Sequence, residues 1–143
     1  MAGMMAILGD TVLGKDGKNV PVSKFANPDS IVGLYFSAHW CPPCRGFTPV
    51  LAEVYKNIKQ KGKKFEVIFI SSDRDQKSYA EYYETMPWLT IGFGSEKKSD
   101  LAEMYEVGGI PCLVLLKGDS GELITKDGRS KILNEKGGFP WTA

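Results

Sequence analysis

Two cysteines separated by two prolines, Cys41-Pro42-Pro43-Cys44, are the residues of this chain best suited to chemistry. They follow an apolar, partly β-branched run, Ile31 to Phe36, that reads as a buried strand. They precede Phe47, Val50, Leu51, Val54, Tyr55 and Ile58, whose three- and four-residue spacing predicts a helix. A Cys-x-x-Cys pair at a strand-to-helix junction points to thiol–disulfide exchange rather than to metal binding. The first amides of a helix have no intrahelical acceptor, and the macrodipole places partial positive charge there. A thiol at that point loses its proton more readily, and the thiolate is the attacking species. Cys41 is therefore the expected nucleophile, partly exposed and anionic. Cys44, one turn inside, is the expected resolving thiol that displaces a mixed disulfide from Cys41.

The proline spacer sharpens this expectation. Proline suits the first helical position because its missing N–H would have gone unused. A capping side chain normally accepts from the second or third helical amide. With Cys41 as the cap, Pro42 and Pro43 donate nothing, and the Cys44 N–H is the nearest donor. Pro42 also precedes a proline, which disfavours the α region, so the helix is expected to start formally at Pro43.

The elements that must position this motif alternate between strand and helix. Thr11-Val12-Leu13 and Val20-Pro21-Val22 flank Gly14-Lys15-Asp16-Gly17 as a short hairpin. After the first strand a helix runs to about Gln60, with Pro49 expected to bend it. Phe65 to Ser71 is the clearest strand, and the βαβ unit so formed is parallel and right-handed. Ser72-Asp73-Arg74-Asp75 is a loop ending in a helix cap. The next helix carries Tyr79, Tyr82, Tyr83 and Met86 as core residues and stops at Pro87. An extended piece over 91–94, a helix over 99–107, a strand over 113–117 and its hairpin partner over 122–126 follow. A weak helical stretch over 130–135 precedes Gly137-Gly138-Phe139-Pro140-Trp141. The sum is one α/β domain with a central mixed β-sheet flanked by helices on both faces. In such sheets ligand sites gather at the carboxyl ends of the parallel strands, where Cys41, the Asp73 loop and Pro111 converge.

Composition narrows the classes of function. The 143 residues are 43% hydrophobic and 24% charged, with a formal net charge of +1, which argues against nucleic acid or an anionic membrane as partner. No segment approaches the ~20 apolar residues needed to span a bilayer. The first eight residues lack a basic stretch and end close to Asp10, unlike a signal peptide. Three cysteines, two of them in one motif, do not make a secreted disulfide framework, so a cytoplasmic or nuclear setting is expected. The lysines at 56, 59, 61, 63 and 64 read as a solvated helix end. His39, Cys41, Cys44 and Cys112 would form a zinc set of acceptable types. The proline spacer and apolar context suit a redox pair better, and no metal is expected. No phosphate-binding glycine loop follows a strand, so electrons must come from another protein or a small dithiol.

The Trp40-Cys41-Pro42-Pro43-Cys44 motif between strand and helix, Pro49, and Gly109-Ile110-Pro111 ahead of a late hairpin resemble the thioredoxin superfamily. The run Tyr35-Phe36-Ser37-Ala38-His39-Trp40-Cys41-Pro42-Pro43-Cys44-Arg45, with Met86-Pro87-Trp88 and Phe139-Pro140-Trp141, is similar to the tryparedoxin/nucleoredoxin branch. The likeness runs from about residue 10 onward. It implies a thioredoxin fold and a monomeric protein-disulfide reductase. Its Cys41/Cys44 dithiol would pass electrons from an upstream reductase or small dithiol to oxidised protein partners such as peroxidases. It needs no cofactor beyond the Cys41–Cys44 disulfide. The same resemblance implies a cis bond at Pro111, though Xaa-Pro bonds in general are cis only about 5% of the time. It also implies substrate hydrogen bonds from the Ile110 backbone and an apolar platform from Trp40 over the cysteines. The alternative is a redox-gated binding module with incidental turnover.

Four positions need separate readings. Tyr35 stands where thioredoxins proper carry a buried aspartate that assists the resolving thiol. Asp73 either takes over that proton transfer or caps its loop, the latter being favoured. Cys112 follows Pro111 where threonine is usual, and reads as a small buried hydrophobe. His39, the sole histidine, reads as a partly exposed residue at the strand end, with tuning of Cys41 as the sharper alternative.

Overall fold

The computed structural model of the protein describes residues 3–134, 139 and 141. Its frame is a sheet of seven strands: β1 (Thr11–Leu13), β2 (Asn19–Pro21), β3 (Ile31–Ser37), β4 (Phe65–Ser71), β5 (Leu89–Thr90), β6 (Cys112–Lys117) and β7 (Leu123–Thr125). They lie in the order β2-β1-β5-β4-β3-β6-β7. β3 and β4 are parallel, with Ile31 opposite Phe65 and Ser37 opposite Ser71. β5 joins β4 in parallel, whereas β6 runs antiparallel to β3. The sheet is mixed, as expected. Among the described residues there are five α-helices: α1 (Met4–Leu8), α2 (Pro42–Gln60), α3 (Gln76–Tyr83), α4 (Lys97–Met104) and α5 (Gly128–Asn134).

Period-two alternation along the central strands divides the core into two layers. Tyr35, Phe65, Val67, Phe69, Leu113 and Leu115 face one side, with Phe47 and Leu51 of α2, the α3 tyrosines and Ile132 of α5. Val32, Leu34, Phe36, Ile68, Ile70, Val114 and Leu116 face the other, with Met4 and Leu8 of α1 and Leu101 of α4. β3 and β4 are buried along their whole length because helices cover both faces. Each large apolar side chain sealed this way contributes about 1.5–3 kcal/mol.

Several element boundaries differ from expectation. α2 starts at Pro42 rather than Pro43, because Cys41 itself takes the extended cap conformation (φ −96°, ψ 109°). It continues through Pro49 to Gln60. α3 ends at Tyr83, short of Met86: the Thr85 and Met86 amides close tighter turns onto Tyr82 and Tyr83, and the Thr85 hydroxyl also donates to Tyr82. Met86 is buried all the same. The extended piece is Leu89–Thr90 rather than 91–94, since Gly92 turns the chain at φ +90°. α4 stops at Met104 because Glu106 adopts φ 54°, which closes the helix before Val107. The hairpin strand β7 is shorter than 122–126, and β6 gains Cys112, paired with Phe36. α5 begins at Gly128, two residues early, and Glu135 lies outside the described residues, as do Gly137, Gly138 and Pro140. Phe139 and Trp141 pack edge-on against Phe65. The short helix α1 was not expected. It carries only two core residues, Met4 and Leu8, and Lys97 Nζ donates to the Leu8 carbonyl at its end.

Candidate active site

β3 delivers the chain to the carboxyl edge of the sheet, and α2 carries it away. Cys41 lies between them as the cap of α2, and its sulfur accepts the Cys44 N–H at 3.4 Å. This is the donor that the proline spacer leaves available. Cys41 and Cys44 are joined as a disulfide, with Cα atoms 5.2 Å apart, inside the usual range for a bridge. Cys44 is fully buried and Cys41 is 5% exposed. The expectation of a partly exposed Cys41 is thus corrected to a nearly covered one. The cover comes from Ala38 and Ile110, which pack on the pair.

The Ile110–Pro111 bond is cis, as the resemblance implied. It brings the Ile110 carbonyl oxygen to 4.0 Å from Cys41 Sγ. With the sulfurs joined there is no thiol proton to donate, so this is a packing contact. Trp40 is 51% exposed, its indole N–H donating to the Ser72 carbonyl at 3.2 Å and its ring lying under the Arg74 guanidinium at 5.4 Å. It is thus tied to the loop after β4.

Asp73 is buried beside this loop. Its Oδ1 accepts the His39 N–H at 2.8 Å, and its Oδ2 accepts the Ser71 hydroxyl at 2.7 Å. The Asp73 N–H returns to the Ser71 oxygen. These bonds are those of a loop brace, joining the loop after β4 to the segment that carries Cys41. The His39 ring stacks on Tyr82, centroids 5.3 Å apart and ring planes nearly parallel. Cys112 is half-buried rather than buried, with its sulfur 3.9 Å from the Lys126 carbonyl oxygen. Burial, and then Asp127, push its thiol above the ordinary range.

Beneath Cys44 lies an arrangement that the sequence did not announce. Four buried hydroxyls form a ring: Tyr35 to Thr48 at 2.6 Å, Thr48 to Tyr82 at 2.6 Å, Tyr82 to Ser37 at 2.7 Å and Ser37 to Tyr35 at 3.2 Å. Thr48 and Tyr35 also reach the Cys44 carbonyl, at 2.9 and 3.3 Å. Four hydroxyls supply four protons for these six contacts, so each donates to one partner at a time and the cluster carries no charge. Burial and the neighbouring Tyr82 push the Tyr35 phenol far above its usual range, so Tyr35 does not replace an aspartate as a base. The one sequence signal was Thr48, a hydroxyl four residues after Cys44 on the helix face turned inward. Tyr82 read only as core filler. Arg45, His39, Thr48 and Tyr82 line an open cleft of about 550 Å³ next to this ring.

The thioredoxin-like family model matches residues 29–123, which include the cysteine pair and the cis proline. The probable nucleoredoxin 1 of Arabidopsis thaliana is 54% identical over 122 residues, 85% of this chain and 21% of its own. The chain therefore spans about a fifth of the length of that relative. The tryparedoxin of Trypanosoma brucei brucei is 43% identical over 119 residues, 78% of this chain and 82% of its own. A solved tryparedoxin from Trypanosoma brucei superposes with a TM-score of 0.87 at 36% identity, covering 99% of both chains. Tryparedoxin II complexed with glutathionylspermidine superposes with a TM-score of 0.82 at 34% identity, covering 94% of this chain and 92% of the other. Among the described residues, no helix is long and apolar enough to cross a membrane and no His/Cys/Asp/Glu group is arranged to hold a metal ion. With the fold, the capped cysteine pair and these likenesses together, the chain belongs to the thioredoxin-like family, as an oxidoreductase of the tryparedoxin and nucleoredoxin type.

Proposed function

We propose that this chain reduces disulfides of partner proteins, with Cys41 attacking and Cys44 resolving. The observation that carries this reading is the Cys44 N–H on the Cys41 sulfur at the start of α2. A donor fixed there favours the anionic form of Cys41 in the reduced protein. The Cys41 thiolate attacks one sulfur of the partner disulfide, forming a mixed disulfide and expelling the other sulfur as a thiolate. Cys44, as a thiolate, then attacks the Cys41 sulfur. The Cys41–Cys44 bond forms, and the partner leaves with both sulfurs reduced and takes up two protons. Two electrons have passed from the dithiol to the partner, and no other cofactor is required. Ile110 and the cis Pro111 present backbone beside Cys41 for the partner strand, with Trp40 at the rim. A small dithiol or an upstream reductase restores the pair. Tryparedoxin II in complex with glutathionylspermidine supports a small thiol in that role. The low cysteine content fits a reducing compartment, cytosol or nucleus.

Insulin-disulfide reduction with a supplied dithiol tests this. The expected result is turnover abolished by Cys41→Ser, together with a trapped mixed disulfide on Cys41 in Cys44→Ser. Absent turnover in the wild-type protein, with partner binding that depends on oxidation state, would replace the reductase by a redox-gated binding module.

A further inference from the structure

Resting on the reductase reading, we infer that Arg74 selects partners whose disulfide is flanked by acidic side chains. Arg74 lies in the loop after β4 and its guanidinium sits 5.4 Å from the ring centroid of Trp40, the residue adjoining Cys41. The indole is itself fixed, through its N–H to Ser72 of the same loop. A guanidinium within about 6 Å of an indole face is held by the ring quadrupole, so the charge is placed rather than swinging free.

The acids on either side of Arg74 are committed elsewhere. Asp73 is buried and accepts from His39 and Ser71. Asp75 caps α3 by accepting the Ser78 N–H at 2.7 Å. Among the described residues no carboxylate lies within ion-pair distance of Arg74. Its charge is exposed, oriented and unneutralised over Trp40, the residue next to the attacking cysteine in the chain. A partner that brings a sulfur to Cys41 lies against Trp40, and the residues next to its cysteine come within reach of the guanidinium. Guanidinium and carboxylate are geometrically matched and can pair through two parallel hydrogen bonds.

The test uses two disulfide-bridged peptides that differ only in residues flanking one cysteine, aspartate in one and lysine in the other. The measured quantity is the ratio of kcat/KM for the acidic over the basic peptide. Wild-type protein should prefer the acidic peptide by about threefold, the scale of an exposed ion pair. Arg74→Gln should bring the ratio to about one, and Arg74→Glu should invert it by a similar factor. The preference should fade in 1 M salt, where the Debye length falls to about 3 Å. A wild-type ratio of one, or a ratio that neither variant moves, overturns the inference while leaving the reductase reading intact. Failure of the wild-type protein to reduce either peptide would remove both.

Discussion

At the carboxyl end of β4, Asp73 is 5% exposed and accepts hydrogen bonds from the His39 N–H and the Ser71 hydroxyl. At the start of the same strand, Glu66 is 9% exposed and accepts from the Tyr55 hydroxyl at 2.9 Å and the Val67 N–H at 3.1 Å. Glu66 also has a cation nearby, Lys59 Nζ at 3.7 Å. Both carboxylates are buried at ends of one strand, yet they join different things. Asp73 ties the loop after β4 to the segment that carries Cys41, so its bonds set the shape of the site. Glu66 ties the last turns of α2 to the sheet, 20 or so residues from the cysteines along the chain. Of the lysines expected as a solvated helix end, Lys59 is its partner. One end of β4 is braced for position, the other for attachment. Burial raises the Glu66 carboxyl above the usual carboxylate range, and that effect outweighs Lys59, whose side chain is 47% exposed and screened by water.

The comparison breaks most visibly at Asp73. Asp73→Ala leaves the partly buried His39 N–H and the buried Ser71 hydroxyl without their acceptor, at about 1–3 kcal/mol for the buried hydroxyl and less for the amide. Urea unfolding should show a loss near the sum. Insulin reduction should fall by at least about tenfold, because loosening the loop misplaces Cys41. Full activity in a destabilised Asp73→Ala protein would reduce this carboxylate to the same attaching role as Glu66. A smaller effect is expected at the hydroxyl ring. Thr48→Val keeps the shape but removes bonds to Tyr35, Tyr82 and the Cys44 carbonyl. Stability should drop by about 1–2 kcal/mol, and rescue by Thr48→Ser separates the hydroxyl from the methyl.

How much of this was legible depended on whether the cause was local. β3 and β4 end where expected because each is a mostly apolar run, broken in β4 only by Glu66, that closes in serine and a loop. The Cys41 cap and its Cys44 donor followed from which amides prolines lack, a fact about four consecutive residues. The cis bond at Pro111 came from family likeness alone, since no local signal separates it from other prolines. The hydroxyl ring was not legible: Tyr35, Ser37, Thr48 and Tyr82 come from two strand positions and two helices, and only the packed sheet brings them together. Tyr82 looked like filler because its ring is filler, whereas its hydroxyl is in the ring and its face meets His39. The Trp40–Arg74 stack escaped for the same reason, the two residues being neighbours only once β3 and β4 pair.

The smallest effect is the most diagnostic of the Glu66 end. A carboxyl whose folded-state pKa lies above its unfolded one binds its proton more tightly when folded. Its contribution to stability is fully present below the unfolded value, near 4.3, and is lost as pH rises through the raised folded value. Glu66→Gln carries no such proton. The two proteins should therefore differ least in acid, and the variant should gain on wild type as pH climbs through the raised pKa. Above it the gap should stay constant, reduced by whatever the half-exposed Lys59 pair returns. Urea midpoints at pH 4 and pH 8 measure the change. A gap that moves the other way, wild type gaining as pH rises, would mean that Lys59 overcomes burial and that Glu66 is held as a paired anion.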